Sequence, residues 1–148
     1  MQGALDEKPY LRGRPVLGRL SVALSRKVIA IIDDDTAVLD GMSSLIEALG
    51  YRTEVYSSGE EFINAAPKSD AACLLIDIHL GDITGFELIR HLSIMGPLLP
   101  VIFMTGAKDA TLRKEAIDFG AVACLLKPFP ARQLAQAITD AIGSATED

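Results

Sequence analysis

Residues 72–86 read Ala72-Cys73-Leu74-Leu75-Ile76-Asp77-Ile78-His79-Leu80-Gly81-Asp82-Ile83-Thr84-Gly85-Phe86, and the first five decide what kind of strand this is. Five consecutive apolar residues, with no polar alternation, describe a strand covered on both faces, as in the interior of a parallel sheet. An acid, Asp77, stops the run. A glycine-containing loop follows, and Phe86, Ile89 and Leu92 then recur at helical spacing.

The same unit repeats on either side. Upstream, Val28 to Ile32 is another apolar run ending in acid, and Val38, Met42, Leu45, Ile46 and Leu49 mark a helix closed by Gly50. Asp35 or Thr36 is its candidate N-cap. Thr53 to Tyr56 is a more polar strand, followed by a helix from about Ser58 to Ala66 whose first turn carries Glu60 and Glu61, where the helix dipole favours acids. Downstream, Pro100 opens a strand to Met104, and a helix from about Asp109 to Phe119 ends at Gly120. Val122 to Leu126 forms a strand that Pro128 breaks, and Leu134, Ile138 and Ile142 mark the last helix. Five strands alternating with five helices predict an α/β fold: an open parallel sheet with helices on both faces. The polar second strand belongs at an edge.

Composition bounds the rest. The chain has 148 residues, 49% of them hydrophobic, enough for one domain with an ordinary core. Residues 1–27 carry Lys8, Arg12, Arg14, Arg19, Arg26 and Lys27 against Asp6 and Glu7, so a net of +4 precedes a remainder of −10. With Gly3, Pro9, Gly13, Pro15 and Gly18 spread through it, this segment is expected to be a poorly ordered basic extension. It reads either as an upstream start assignment or as a docking arm. Residues 28–143 are expected to be the domain and 144–148 a short polar tail. The overall charge of −6 argues against direct nucleic-acid binding, which needs excess Lys and Arg. Cys73 and Cys124 sit in apolar runs and read as reduced core residues. No apolar run approaches the roughly 18 residues of a membrane span, so a cytoplasmic protein without membrane contact is expected.

In open parallel sheets the site lies beyond the carboxyl ends of the strands. Those ends carry Asp33 and Asp34, then Asp77, Thr105 and Lys127. A single acid there is usually a turn former or a helix cap. Three acids, a hydroxyl and an amine at successive strand ends are much harder to explain that way.

Four segments carry a resemblance: Ile31-Ile32-Asp33-Asp34-Asp35, Leu74-Leu75-Ile76-Asp77-Ile78-His79-Leu80, Val101-Ile102-Phe103-Met104-Thr105-Gly106-Ala107 and Leu125-Leu126-Lys127-Pro128-Phe129. Together they resemble the signature blocks of response-regulator receiver domains, nearest in look to the nitrogen-fixation transcription regulator type. The resemblance spans about residues 28 to 142. It implies a flavodoxin-like (βα)5 sheet of order 2-1-3-4-5. It also implies a two-component switch in which Asp77 accepts a phosphoryl group from a histidine kinase, a phosphotransfer protein or an acyl phosphate. By the same resemblance Asp33, Asp34, Asp77 and the backbone carbonyl of His79 hold a metal, and Thr105 and Lys127 contact the phosphoryl oxygens. The Lys127-Pro128 bond is expected to be cis, and a downstream protein target, with a possible phosphorylation-dependent homodimer, is expected on the fourth helix, fifth strand and fifth helix.

The chemistry of the residues points the same way. Three carboxylates on one rim repel, each pair by up to ~4 kcal/mol at 4 Å and an effective dielectric near 20. A divalent cation relieves that repulsion, and a donor set of oxygens alone favours Mg²⁺ over zinc. Some positions depart from the family. Cys124 stands where an aromatic switch residue is usual, and Gly81 stands where proline is frequent, which is expected to loosen its loop. Ala107 and the His79 side chain occupy positions linked to phosphoryl lifetime. Two alternatives remain: a haloacid-dehalogenase-type aspartate-nucleophile phosphatase, for which Asp33 and Asp35 have suitable spacing, and a receiver-like module that binds partners without phosphorylation. The few polar residues after the last helix suggest a stand-alone receiver.

Overall fold

The computed structural model describes residues 26–106 and 110–143. Within them, β1 (Val28–Ile32), β2 (Arg52–Tyr56), β3 (Ala71–Asp77), β4 (Val101–Thr105) and β5 (Ala123–Leu126) form one sheet. The helices are α1 (Thr36–Ala48), α2 (Gly59–Ala65), α3 (Gly85–Met95), α4 (Ala110–Asp118) and α5 (Ala131–Ile142). The strand order is β2-β1-β3-β4-β5 and every pairing is parallel. This is the flavodoxin-like plan, with its order reversing between β1 and β3.

The apolar runs feed two cores because side chains alternate along a strand. Ala30, Ile32, Leu74, Ile76, Val101, Phe103 and Cys124 face one side, where Phe62 of α2, Phe86, Ile89 and Leu92 of α3 and Ala116 of α4 cover them. Ile29, Ile31, Cys73, Leu75, Ile102, Met104 and Leu125 face the other, under Leu39, Met42 and Ile46 of α1 and Leu134, Ala137 and Ile138 of α5. β2, half-buried along most of its length, is an edge.

Local chemistry sets the element ends. Asp35 caps α1, its Oδ1 accepting the N–H groups of Ala37 and Val38 at 3.0 and 3.3 Å. Ser58 caps α2, which gives way to a 3-10 turn at Ala66–Lys68 around Pro67. Thr84 and Glu87 form a reciprocal capping box at the start of α3. At the far end of the domain the Lys27 ammonium donates to the carbonyl of Ile142, and the Tyr51 hydroxyl donates to that of Gly143 at 3.1 Å. Arg26 and Lys27 are thereby beside the folded unit, each offering its carbonyl to Arg52. The rest of the basic extension, residue 107 and the tail 144–148 lie outside the described residues. No helix among the described residues is long and apolar enough to cross a membrane.

Candidate functional site

Each candidate side chain is delivered by the end of a strand. Asp33 and Asp34 follow β1, Asp77 ends β3, Thr105 ends β4 and Lys127 follows β5. The Lys127 N–H donates to the Thr105 carbonyl at 2.8 Å, which continues the β4–β5 pairing past its last rung. α3 approaches closely enough to close the rim because residue 85 is glycine. A Cβ there would stand 3.1 Å from the Asp77 carbonyl, from Ile76 Cγ2 and from Phe103 Cε1.

Lys127 joins two of the acids. Its Nζ donates to Asp33 Oδ2 at 2.6 Å and to Asp77 Oδ2 at 2.9 Å. The remaining oxygens are held alike: Asp33 Oδ1 accepts the N–H of Asp35 at 2.9 Å, and Asp77 Oδ1 accepts that of His79 at 2.9 Å. Each carboxylate is thus oriented by a turn of its own backbone and by one shared ammonium. Asp33 is wholly buried, and burial pushes its carboxyl above the usual range although Lys127 pulls the other way. Burial also lowers the Lys127 ammonium, but hydrogen bonds and charge from Asp33 and Asp77 more than offset it, leaving it above the ordinary lysine value. Asp77 keeps 11% of its side chain exposed, so one edge of the carboxylate is reachable.

Asp34 is exposed and completes a cluster in which Asp33, Asp34 and Asp77 each offer an oxygen within 4.8 Å of the others. One ammonium does not neutralise three carboxylates. The cluster holds oxygen donors alone and is open on the Asp34 side, which fits a small hard cation. Thr105 is fully buried at the same rim. His79 is exposed, and its backbone forms an antiparallel bridge with Thr84. The Lys127–Pro128 bond is cis. Cys124 is buried opposite Phe103, and burial raises its thiol pKa against the opposing pull of Arg113.

The residues flanking the cluster have structural tasks. Asp35 is spent on capping α1 and does not join the cluster, so the alternate-acid arrangement of a dehalogenase-type phosphatase is not formed. The loop after Asp77, where Gly81 stands in place of the family's frequent proline, is attached to α2 through the residue that follows it. Gly81 adopts φ +92°, and both carboxylate oxygens of Asp82 accept backbone N–H groups at the start of α2. Neither Gly85 nor Asp82 stands out in the sequence, because both roles depend on contacts made across the fold.

Comparisons with known proteins address the fold and the family. The sequence model of the response regulator receiver domain family matches residues 29–139. The response regulator protein TmoT of Ectopseudomonas mendocina is 34% identical over 139 residues, covering 93% of this chain and 63% of that protein. The transcriptional regulatory protein FixJ of Bradyrhizobium diazoefficiens is 32% identical over 117 residues, covering 79% of this chain and 57% of FixJ. The chain therefore spans less than two thirds of these relatives. A crystal structure of a response regulator receiver protein from Burkholderia phymatum superposes with a TM-score of 0.73 at 29% identity, covering 83% of this chain and all of that one. With the strand order, the acid cluster and the bridging lysine already in place, the match over residues 29–139 makes the conclusion plain: the chain belongs to the response regulator receiver domain family.

Proposed function

We propose that residues 28–143 act as a two-component receiver in which Asp77 is the phosphoacceptor and Mg²⁺ is the metal. The observation that carries this reading is the Lys127 bridge, which gathers Asp33 and Asp77 beside Asp34 while leaving an edge of Asp77 open. Asp33, Asp34, Asp77 and the backbone carbonyl of His79 are the groups that would hold the metal. When bound, Mg²⁺ supplies charge neutralisation for the acids and for the incoming phosphoryl oxygens.

The Asp77 carboxylate needs no general base because its nucleophilic form is the ionised one. A carboxylate oxygen bonds to phosphorus while the bond from phosphorus to the donor breaks, a P–N bond for phosphohistidine and a P–O bond for an acyl phosphate. The donor leaves with the electron pair. Lys127, freed from part of its contact with Asp77, pairs with the transferred oxygens, and the Thr105 hydroxyl donates to another. Attack of water on the phosphorus later releases inorganic phosphate and restores the carboxylate. Cys124, small and buried, takes the place of the aromatic switch residue.

The partners in this reading are a histidine kinase or phosphotransfer protein as donor and a protein target as receiver of the signal, in the cytoplasm. Output falls to α4, β5 and α5, where Ile117 and Val122 are exposed apolar residues, and this surface also suits a phosphorylation-dependent homodimer. Incubation with acetyl phosphate and Mg²⁺, followed by intact-mass measurement, tests it. The parent is expected to gain one phosphoryl group and Asp77→Asn none. A gain of equal size in Asp77→Asn, or no gain in the parent, overturns the assignment.

A further inference from the structure

Asp82 lies outside the acid cluster, yet both of its carboxylate oxygens are engaged. Oδ1 accepts the Gly59 N–H at 3.2 Å and Oδ2 accepts the Glu60 N–H at 3.0 Å, so the loop after β3 is fastened to the first turn of α2. Beside this tie, Ile83 fills the room that a side chain at residue 59 would need. Its Cδ1 and Cγ1 lie 2.7 Å from where a Cβ on Gly59 would stand, and Gly59 is buried. Burial pushes the Asp82 carboxyl up, but the backbone N–H groups around it outweigh that and hold it below the usual range.

The other end of the same loop touches the acids. A Cβ on Gly81 would be 3.2 Å from Asp34 Oδ2, and the His79 N–H orients Asp77 Oδ1 at 2.9 Å. The corner itself is soft, since glycine at φ +92° has many other conformations open to it. The His79–Thr84 bridge and the Gly85 N–H on the Ile78 carbonyl close the base of the loop but do not reach the corner. The attachment next along the chain is Asp82.

We propose that Asp82 is a positioning residue for the acid pocket: by clasping the start of α2 it keeps the Gly81 corner against Asp34 and the His79 N–H on Asp77, and so sets the affinity for a divalent cation. This rests on the receiver reading above. Groups that orient metal ligands without touching the metal commonly change affinity by about 10- to 100-fold when removed. Because the clasp acts on an outer edge of the pocket, the low end of that range is expected.

Calorimetric titration of the full chain with MgCl₂ tests the proposal. Asp82→Ala is expected to weaken Mg²⁺ binding roughly tenfold. Gly59→Ala, which displaces Ile83 without altering any carboxylate, is expected to shift it in the same direction. Asp82→Asn keeps one carbonyl acceptor and is expected to recover part of the loss. Ile46→Val, in the opposite core, controls for general destabilisation: it lowers the Tm and leaves the Mg²⁺ Kd at the parent value. Folded Asp82→Ala and Gly59→Ala proteins that bind Mg²⁺ as tightly as the parent overturn the clasp alone. If Asp82→Ala does not fold, the Gly59→Ala titration decides by the same criterion. A parent that binds no Mg²⁺ overturns the clasp together with the metal-dependent reading.

Discussion

At the scale of single residues, Lys127 holds the acid pair together. It is the cation shared by a wholly buried acid and a nearly buried one. Replacing it by a neutral side chain leaves both carboxylates without that partner, at a cost of about 1–3 kcal/mol in metal-free protein. The pH dependence has a definite sign. The folded-state pKa of Lys127 lies above its ordinary 10.5, so folding favours the protonated form. The stabilisation is complete below 10.5 and is lost as pH rises through the raised value. The Tm difference between the parent and Lys127→Met, measured in chelator, is therefore expected to be constant near neutrality and to shrink above pH 10.5. A difference that stays constant there would mean that Lys127 acts through packing alone.

Much at this scale is legible in the sequence, because each strand's last residues announce themselves where an apolar run stops. Asp33, Asp34, Asp77, Thr105 and Lys127 do meet at one rim. The division of labour within the acidic triplet is not legible. Adjacent acids differ by direction: Asp33 turns inward to Lys127, Asp34 stays exposed and Asp35 caps α1. Only the backbone path after β1 separates those three fates.

At the scale of elements, the strands are legible because buried parallel strands are continuous apolar runs, and β2 because an edge tolerates polar residues. Helix ends depend more on contacts across the fold. The helix expected from about Ser58 to Ala66 runs over Gly59–Ala65 between those two caps, and the 3-10 turn around Pro67 that follows it is not foreseen. The Thr84-x-x-Glu87 capping box is a local signal that could have fixed the start of α3 from sequence. Gly85 could not have been read so, since its reason is the closeness of Phe103 and the Asp77 carbonyl. Among the helices, α5 shows what packing contributes. Leu134 is fully buried in the core shared with Ile102, Met104 and Leu125. Leu134→Ala removes most of that side chain and is expected to cost about 2–5 kcal/mol in denaturant unfolding. A loss well under 1 kcal/mol would mean that α5 is held mainly by its ends.

At the scale of the whole molecule, the parallel order β2-β1-β3-β4-β5 puts the acid cluster and the chain's end contacts on opposite rims. The acids sit where strands end, whereas Arg26 and Gly143 sit where β1 begins and α5 finishes, fastened by Lys27 and Tyr51. Joining those two points should ask little of the polypeptide. A short glycine-rich linker from residue 143 back to residue 26, with the chain reopened between Pro97 and Leu98, is expected to give a circular permutant that melts cooperatively near the parent temperature. Loss of cooperative melting in that permutant would show that the linear order of the chain matters here beyond the contacts it makes. The fold is a nearly closed loop whose seam lies at the rim opposite the acid cluster.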